Sequence, residues 1–218
     1  MELQGIKINF LGDSITEGAG VSAPERRYPD LIAAETGAIC RNYGISGSRI
    51  ARQYRPSADV RMDRDFCSRV AEMEPDADVV VVFGGTNDFG HGDAPFGQFS
   101  DRTSDTFCGA LHVLYRALLE RYPQAYILIL TPLHRLEEDC PRGDGSKEAD
   151  APLLQTYVEA IRETAAYYAL PVLDLWATSG LQPQVPVIQA RYMPDGLHPN
   201  DAGHEKLAAA ILRVLRQL

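Results

Sequence analysis

The chain has 218 residues, of which 45% are hydrophobic and 23% charged, as in ordinary globular proteins that bury a large core. Its formal net charge is -9 and it has no run of lysine and arginine, which argues against nucleic acid as a partner. Because α/β units of this length commonly share a single core, we expect a single domain over residues 1–218. No stretch reaches the ~18 apolar residues of a membrane span, so we expect no stable membrane association and a cytoplasmic location.

Short apolar runs alternate with helical patterns along the chain. In the first half, strands are predicted in IKINFLG, AICRNYG and ADVVVVFGG, and helices in YPDLIAAETG and around DFCSRVAEMEP. The second half gives a helix in FCGALHVLYRALLERYP, a strand in AYILILTP, a helix in LLQTYVEAIRETAAYYAL, a strand in PVLDLW and a closing helix after HPN. This alternation predicts a parallel sheet wound with helices, with VVVVF as a central strand that is covered on both faces.

Neither a cofactor nor a metal ion is predicted. The sequence lacks the glycine-rich motifs that bind nucleotide phosphates, and its cysteines form no C-x-x-C pair. Three aspartates follow strands or precede the last helix and could in principle hold a divalent metal: Asp13, Asp88 and Asp195. The serine and histidine beside them fit acyl transfer better than metal binding.

Polar residues follow the predicted strands, at the sheet edge where open α/β folds bind their ligands. Ser14 follows the first strand, Gly47 the second and Asn87 the third, while Asp195 and His198 precede the last helix. Acyl transfer needs a nucleophile, a base, a carboxylate that orients the base, and donors for the developing oxyanion. We interpret Ser14 as the nucleophile and His198 with Asp195 as its partners. The Asn87 amide and the N–H groups of Ser14 and Gly47 would form the oxyanion hole.

Each of these segments also has a purely structural interpretation. The Gly-Asp-Ser turn could serve only to cap a helix, DGLHPN could be a simple turn, and Gly47 could be needed only for a positive φ. None of these interpretations predicts one member of every catalytic role at successive strand ends. The coincidence of residue types therefore favours acyl transfer.

Four blocks, GDS, NYGISG, GTND and DGLH, occur in this order and together resemble the SGNH hydrolases, also called GDSL-type lipases and esterases. Ile15 stands where the family name has leucine. In the second block Gly47 matches the family pattern better than Gly44. The resemblance implies a flavodoxin-like three-layer α/β/α sandwich with a five-stranded parallel sheet.

Carried over residue by residue, the resemblance implies Ser14, Asp195 and His198 as catalytic residues and Ser14, Gly47 and Asn87 as oxyanion donors. We expect a metal-independent serine esterase for a small-molecule substrate, a small or short-acyl ester such as an acetylated carbohydrate. The alternatives are a lysophospholipase or lipase, and a catalytically silent ligand-binding protein of the same fold. The sequence leaves the oligomeric state open.

Residues in the loops could line the substrate pocket. Four are predicted as candidate substrate-lining residues: Asp13, Asp88, His91 and His134. Three loop arginines could also receive a hydrophilic group such as a sugar, although surface solvation is the simpler expectation: Arg49, Arg52 and Arg135.

Overall fold

A computed structural model describes residues 2–218 and contains a five-stranded sheet. Its strands are β1 (Lys7–Gly12), β2 (Ile39–Gly44), β3 (Val79–Phe83), β4 (Tyr126–Leu130) and β5 (Val172–Leu173). They lie in the order β2-β1-β3-β4-β5 and all pairs are parallel. The predicted fold class is thereby confirmed.

Helices connect the strands. They are α1 (Ser14–Glu17), α2 (Tyr28–Thr36), α3 (Phe66–Arg69), α4 (Thr86–Gly90), α5 (Phe107–Arg121), α6 (Leu154–Tyr167), α7 (Leu175–Thr178), α8 (Pro186–Tyr192) and α9 (Asp201–Leu215). In residues 2–218 no helix combines the length and apolar character that crossing a membrane requires.

The central strand β3 shows how the core divides between the two faces of the sheet. Successive side chains of a strand point to opposite faces. Val79, Val81 and Phe83 accordingly pack in a cluster with residues of α2 and α9, while Val80 and Val82 pack with residues of α5 and α6. Every residue of β3 is buried, as its unbroken apolar sequence predicts.

Two predicted elements are shorter than expected. The helix expected around DFCSRVAEMEP is only the four residues of α3, followed by a 3₁₀ turn at Val70–Glu72. The strand expected in PVLDLW has two residues, because the side chain of Asp174 accepts the N–H of Ala177 and begins α7. The same carboxylate also receives a hydrogen bond from Thr131, the residue that follows β4.

Two glycines after α1 allow the chain to pass close to the segment that precedes α9. Gly18 and Gly20 have φ values of +107° and +93°, in the left-handed region. A Cβ at Gly20 would lie 2.5 Å from the carbonyl oxygen of Pro199. This close approach brings the chain after β1 against the loop that carries His198.

Candidate active site

Ser14, His198 and Asp195 form a continuous chain of hydrogen bonds. Ser14 is the first residue of α1, directly after the turn that ends β1. Its Oγ lies 3.0 Å from Nε2 of His198, and Nδ1 of His198 lies 2.7 Å from Oδ2 of Asp195. The structure thus brings Ser14 against His198, which lies 184 positions away in the sequence, and against its neighbour Asp195.

The Asp195 carboxylate is held by the backbone of its own loop. Its Oδ1 accepts hydrogen bonds from the N–H groups of Leu197 at 2.9 Å and His198 at 2.7 Å. Burial alone would raise the pKa of Asp195, but these two bonds and the His198 ring outweigh burial and lower it below its ordinary value. An ionised carboxylate at this position favours a proton on Nδ1 of His198, which leaves Nε2 free to accept one.

The loop after β2 presents Gly47 at the same sheet edge. The N–H of Ser48 donates to the carbonyl oxygen of Ile45 at 3.2 Å, which closes a tight turn, and Gly47 takes a φ of +73° in it. The side-chain amide of Asn87 lies in α4 and donates to the carbonyl oxygen of Ser48 at 3.0 Å. Asn87 and Gly47 therefore belong to one hydrogen-bonded unit.

Arg69 and Glu17 fix this unit, and no motif in the sequence identifies either residue. Arg69 is 3% exposed and donates to the carbonyl oxygens of Tyr43 and Gly12 and to the hydroxyl of Ser48, at 2.7, 3.1 and 3.0 Å. The Glu17 carboxylate accepts the N–H of Ser46 at 2.7 Å. The only sequence signal for Arg69 was a charged residue among the apolar residues FCSRV.

His91 contacts the Gly47 loop. Its Nε2 lies 3.2 Å from the carbonyl oxygen of Gly47, and its Nδ1 lies 3.3 Å from Oδ2 of Asp144. Burial lowers the pKa of His91 and outweighs the hydrogen bond to Gly47 and the attraction of Asp144. A neutral His91 with its proton on Nε2 donates to the Gly47 carbonyl and so supports the turn.

Asp88 and His134 have other partners. The Asp88 carboxylate is buried and accepts the N–H groups of Ile50 and Ala51, each at 2.9 Å. His134 stacks on Trp176, with ring centroids 3.7 Å apart, and lies 2.9 Å from a carboxylate oxygen of Glu138. Both side chains are thus engaged in packing and hydrogen bonding at positions after β3 and β4.

The loop arginines differ in exposure, which corrects the expectation of surface solvation for two of them. Arg52 is exposed and pairs with Asp105 at 2.7 Å. Arg49 and Arg135 are buried, at 3% and 6% exposure. Their long side chains fold back over the site-bearing loops, and single-sequence patterns give no signal for such folding.

Asp13 is also buried, where it caps α1 by accepting the N–H of Ile15 at 3.0 Å. Burial raises its pKa from 3.8 to about 6, against the opposing effects of that hydrogen bond and of the charges of His198 and Arg69. The folded chain thus binds this proton more tightly than the unfolded chain does. The stabilisation is complete below about pH 4 and is lost as the pH rises through about 6.

We therefore expect Asp13→Asn to gain stability relative to the wild type as the pH rises. Asparagine keeps an oxygen for the Ile15 N–H but does not ionise. Between about pH 4.5 and about pH 7.5, the free energy of unfolding of the variant should rise by about 2 kcal/mol relative to that of the wild type. Urea unfolding of both proteins at the two pH values measures this change. A difference that is the same at both would show that Asp13 does not titrate as inferred.

Across residues 2–218, no group of three or more His, Cys, Asp or Glu side chains is placed to hold a metal ion. The chemistry available at the site is that of the serine, the histidine, the carboxylate and the amide donors around them. A hydroxyl 3.0 Å from a carboxylate-supported imidazole is the arrangement that activates serine for nucleophilic attack.

Comparison with known proteins extends these observations over nearly the whole chain. Residues 10–206 match the model of the GDSL-like Lipase/Acylhydrolase family. A GDSL lipase of Mycobacterium tuberculosis is 28% identical over 212 residues, which cover 94% of this chain and 79% of the relative. A crystal structure of a Lactobacillus plantarum protein is 31% identical, with a TM-score of 0.83 and 98% of each chain covered. An acetyl xylan esterase of Geobacillus stearothermophilus has a similar fold, with 22% identity, a TM-score of 0.63 and coverage of 98% of this chain and 96% of that one.

Proposed function

Because the chain belongs to the GDSL-like lipase/acylhydrolase family and is therefore an ester-bond hydrolase, we propose that Ser14, His198 and Asp195 carry out the hydrolysis. The observation that carries this proposal is the pair of short contacts, 3.0 Å from Ser14 to His198 and 2.7 Å from His198 to Asp195. Family membership also means that the alternative of a catalytically silent binding protein is not retained.

In the proposed reaction, Nε2 of His198 takes the proton from Ser14 as Oγ attacks the ester carbonyl carbon. The tetrahedral intermediate collapses when the imidazolium gives that proton to the leaving alkoxide, and the acyl group stays on Ser14. Water then attacks the acyl-enzyme and gives a proton to His198, which returns it to Ser14 as the carboxylic acid leaves. Asp195 stabilises the imidazolium in both steps.

Three donors support the proposed oxyanion hole. Within residues 2–218, the N–H groups of Ser14 and Gly47 donate no hydrogen bond, so both remain available. Asn87 uses one amide hydrogen for the Ser48 carbonyl and retains a second. The N–H of Gly44 already donates to the side chain of Asn42 at 2.8 Å, which favours Gly47 as the donor from this loop.

For the oxyanion hole, we expect Asn87→Ala to lower kcat by about 10²–10³ with a smaller change in KM, because the lost donor acts mainly on the transition state. The change also removes the bond to the Ser48 carbonyl, so we expect a loss of about 1–3 kcal/mol in the free energy of unfolding. Steady-state kinetics and urea unfolding measure the two effects. An Asn87→Ala variant with wild-type kcat would remove Asn87 from the oxyanion hole.

We further propose that the substrates are small or short-acyl esters, with acetylated carbohydrates as the class to test first. The support is the similar fold of the acetyl xylan esterase. A second support is the set of hydrogen-bonded polar groups around Gly47, including His91. A lipase or lysophospholipase is the other candidate, because the Mycobacterium tuberculosis relative is a GDSL lipase.

A panel of para-nitrophenyl esters from acetate to decanoate tests this substrate class, together with an acetylated xylo-oligosaccharide and a lysophospholipid. We expect kcat/KM to be highest for acetate and to fall steadily with chain length, and we expect acetate release from the oligosaccharide. An optimum at long chains, with hydrolysis of the lysophospholipid, would instead establish the lipase class.

A further inference from the structure

Arg135 is a buried arginine with no close counter-charge. It follows β4 and is 6% exposed, and its guanidinium lies 5.6 Å from the ring centroid of Phe89. Its nearest hydrogen-bond acceptors are the carbonyl oxygen and hydroxyl of Thr86 and the carbonyl oxygen of Leu136, all at 3.4 Å. These distances are long, since N–H···O bonds in proteins cluster near 2.9–3.0 Å.

In the part of the chain that the structure describes, no carboxylate lies within 4.0 Å of the Arg135 guanidinium. Nη2 of Arg135 makes no hydrogen bond with the described residues and remains accessible to solvent. By contrast, the buried Arg49 pairs with Asp63 at 3.2 Å, and the buried Arg69 satisfies three acceptors. A buried charge without a counter-charge is costly in the free protein, so a ligand that supplies the opposite charge gains binding energy.

Arg135 lies between two parts of the proposed active site. On one side it contacts Thr86, the residue before Asn87. On the other side, the N–H of Leu136 donates to the carbonyl oxygen of Gly196 at 2.8 Å, next to Asp195. Burial lowers the pKa of Arg135, and the more distant carboxylates that oppose this lowering are those of Asp144, Glu137, Asp195 and Asp13.

The carboxylate with the largest effect on the pKa of Arg135, that of Asp144, is engaged elsewhere. Asp144 uses one oxygen for His91 and the other for the N–H of Ser146, at 3.3 and 3.1 Å. It moderates the positive charge at Arg135 without forming an ion pair with it. The unused Nη2 therefore remains an available donor between Thr86 and the loop that carries Asp195.

We propose that Arg135 is a specificity-determining residue that binds a carboxylate carried by the ester substrate. This inference rests on the proposed function, and it narrows the substrate class to small esters with an anionic group, on either the alcohol or the acyl side. A planar guanidinium suits this task because it can donate two parallel hydrogen bonds to a carboxylate.

Matched pairs of esters test the inference. On the alcohol side, para-acetoxybenzoate is compared with its neutral methyl ester; on the acyl side, mono-para-nitrophenyl adipate is compared with para-nitrophenyl hexanoate. In one of the two pairs, we expect wild-type kcat/KM to favour the carboxylate by roughly 10-fold to 100-fold. Arg135→Gln should abolish that preference, mainly through a higher KM for the anionic ester. The pair that responds identifies the side that carries the carboxylate.

Two further variants separate binding from a structural role. Arg52→Gln removes the same charge from an exposed arginine and should leave the preference unchanged. Arg135→Lys keeps the charge without the planar fork and should lower but retain the preference, which covers the case that Arg135→Gln does not fold. A wild type that favours the neutral ester in both pairs, or a preference that survives Arg135→Gln, would overturn the inference. Hydrolysis of none of the four esters would overturn the proposed function and this inference with it.

Discussion

Replacing Ser14 by alanine is expected to lower kcat for a short-chain ester by about 10⁴–10⁶. The reason is that Oγ is the only atom removed, and it is the atom that lies 3.0 Å from Nε2 of His198. Without it no acyl-enzyme can form, although the backbone donors proposed for the oxyanion remain. The N–H of Ser14 is retained in the variant, so some catalysis over the uncatalysed rate should persist.

The matched control for this prediction is Ser100→Ala, which removes the same hydroxyl from an exposed loop serine. We expect wild-type kinetics for this control, and thermal unfolding within a few degrees of the wild type for both variants. The rates are measured from the release of para-nitrophenol in stopped or continuous assays. If Ser14→Ala hydrolysed the ester at the wild-type rate, another residue would have to be the nucleophile.

The second large effect is expected from His198→Ala, with a loss in kcat of about 10⁴–10⁶, because neither the nucleophile nor the leaving group then has a proton carrier. If Ser14 and His198 act as one unit, the double variant should lose no more activity than either single variant.

Asp195→Asn should lower kcat by about 10⁴, because an amide cannot stabilise the imidazolium and can reverse the tautomer of His198.

The comparison of the two single variants with the double variant distinguishes a shared mechanism from independent contributions. Losses that multiply in the double variant would show that Ser14 and His198 act separately. Wild-type activity in His198→Ala would remove it from the mechanism. Circular dichroism of the variants checks that a substitution in the loop at Asp195–His198 has not unfolded the neighbouring helix α9.

The sequence predicts the sheet and the site because both depend on local patterns. The alternation of apolar runs with helical segments identifies the parallel sheet, and residues directly after parallel strands must meet at one edge of it. Ser14, Asn87 and Gly47 occupy such positions, and the D-x-x-H spacing suffices to join Asp195 to His198. The prediction of a single domain over residues 1–218 stays a prediction.

What the sequence does not reveal are the long-range supports of these loops. Arg69 reaches Gly12, Tyr43 and Ser48 from a short helix, and nothing in its own segment indicates those partners. The burial of Arg135 is equally unpredictable, because it depends on how the loop after β4 folds over α4. The strand β5 was predicted longer than it is, because Asp174 ends it through contacts with Thr131 and α7.

The most direct test of the central claim is covalent labelling of the wild-type protein with a fluorophosphonate, in which the attacking Oγ forms a bond to phosphorus and fluoride leaves. Trypsin releases Ser14 in the peptide of residues 8–26, which also contains Ser22, and fragmentation distinguishes the two serines. We predict a single adduct on Ser14, its absence from Ser14→Ala, and slow formation in His198→Ala. An adduct on another residue, or an active esterase that the probe leaves unlabelled, would contradict the assignment of Ser14 as the nucleophile.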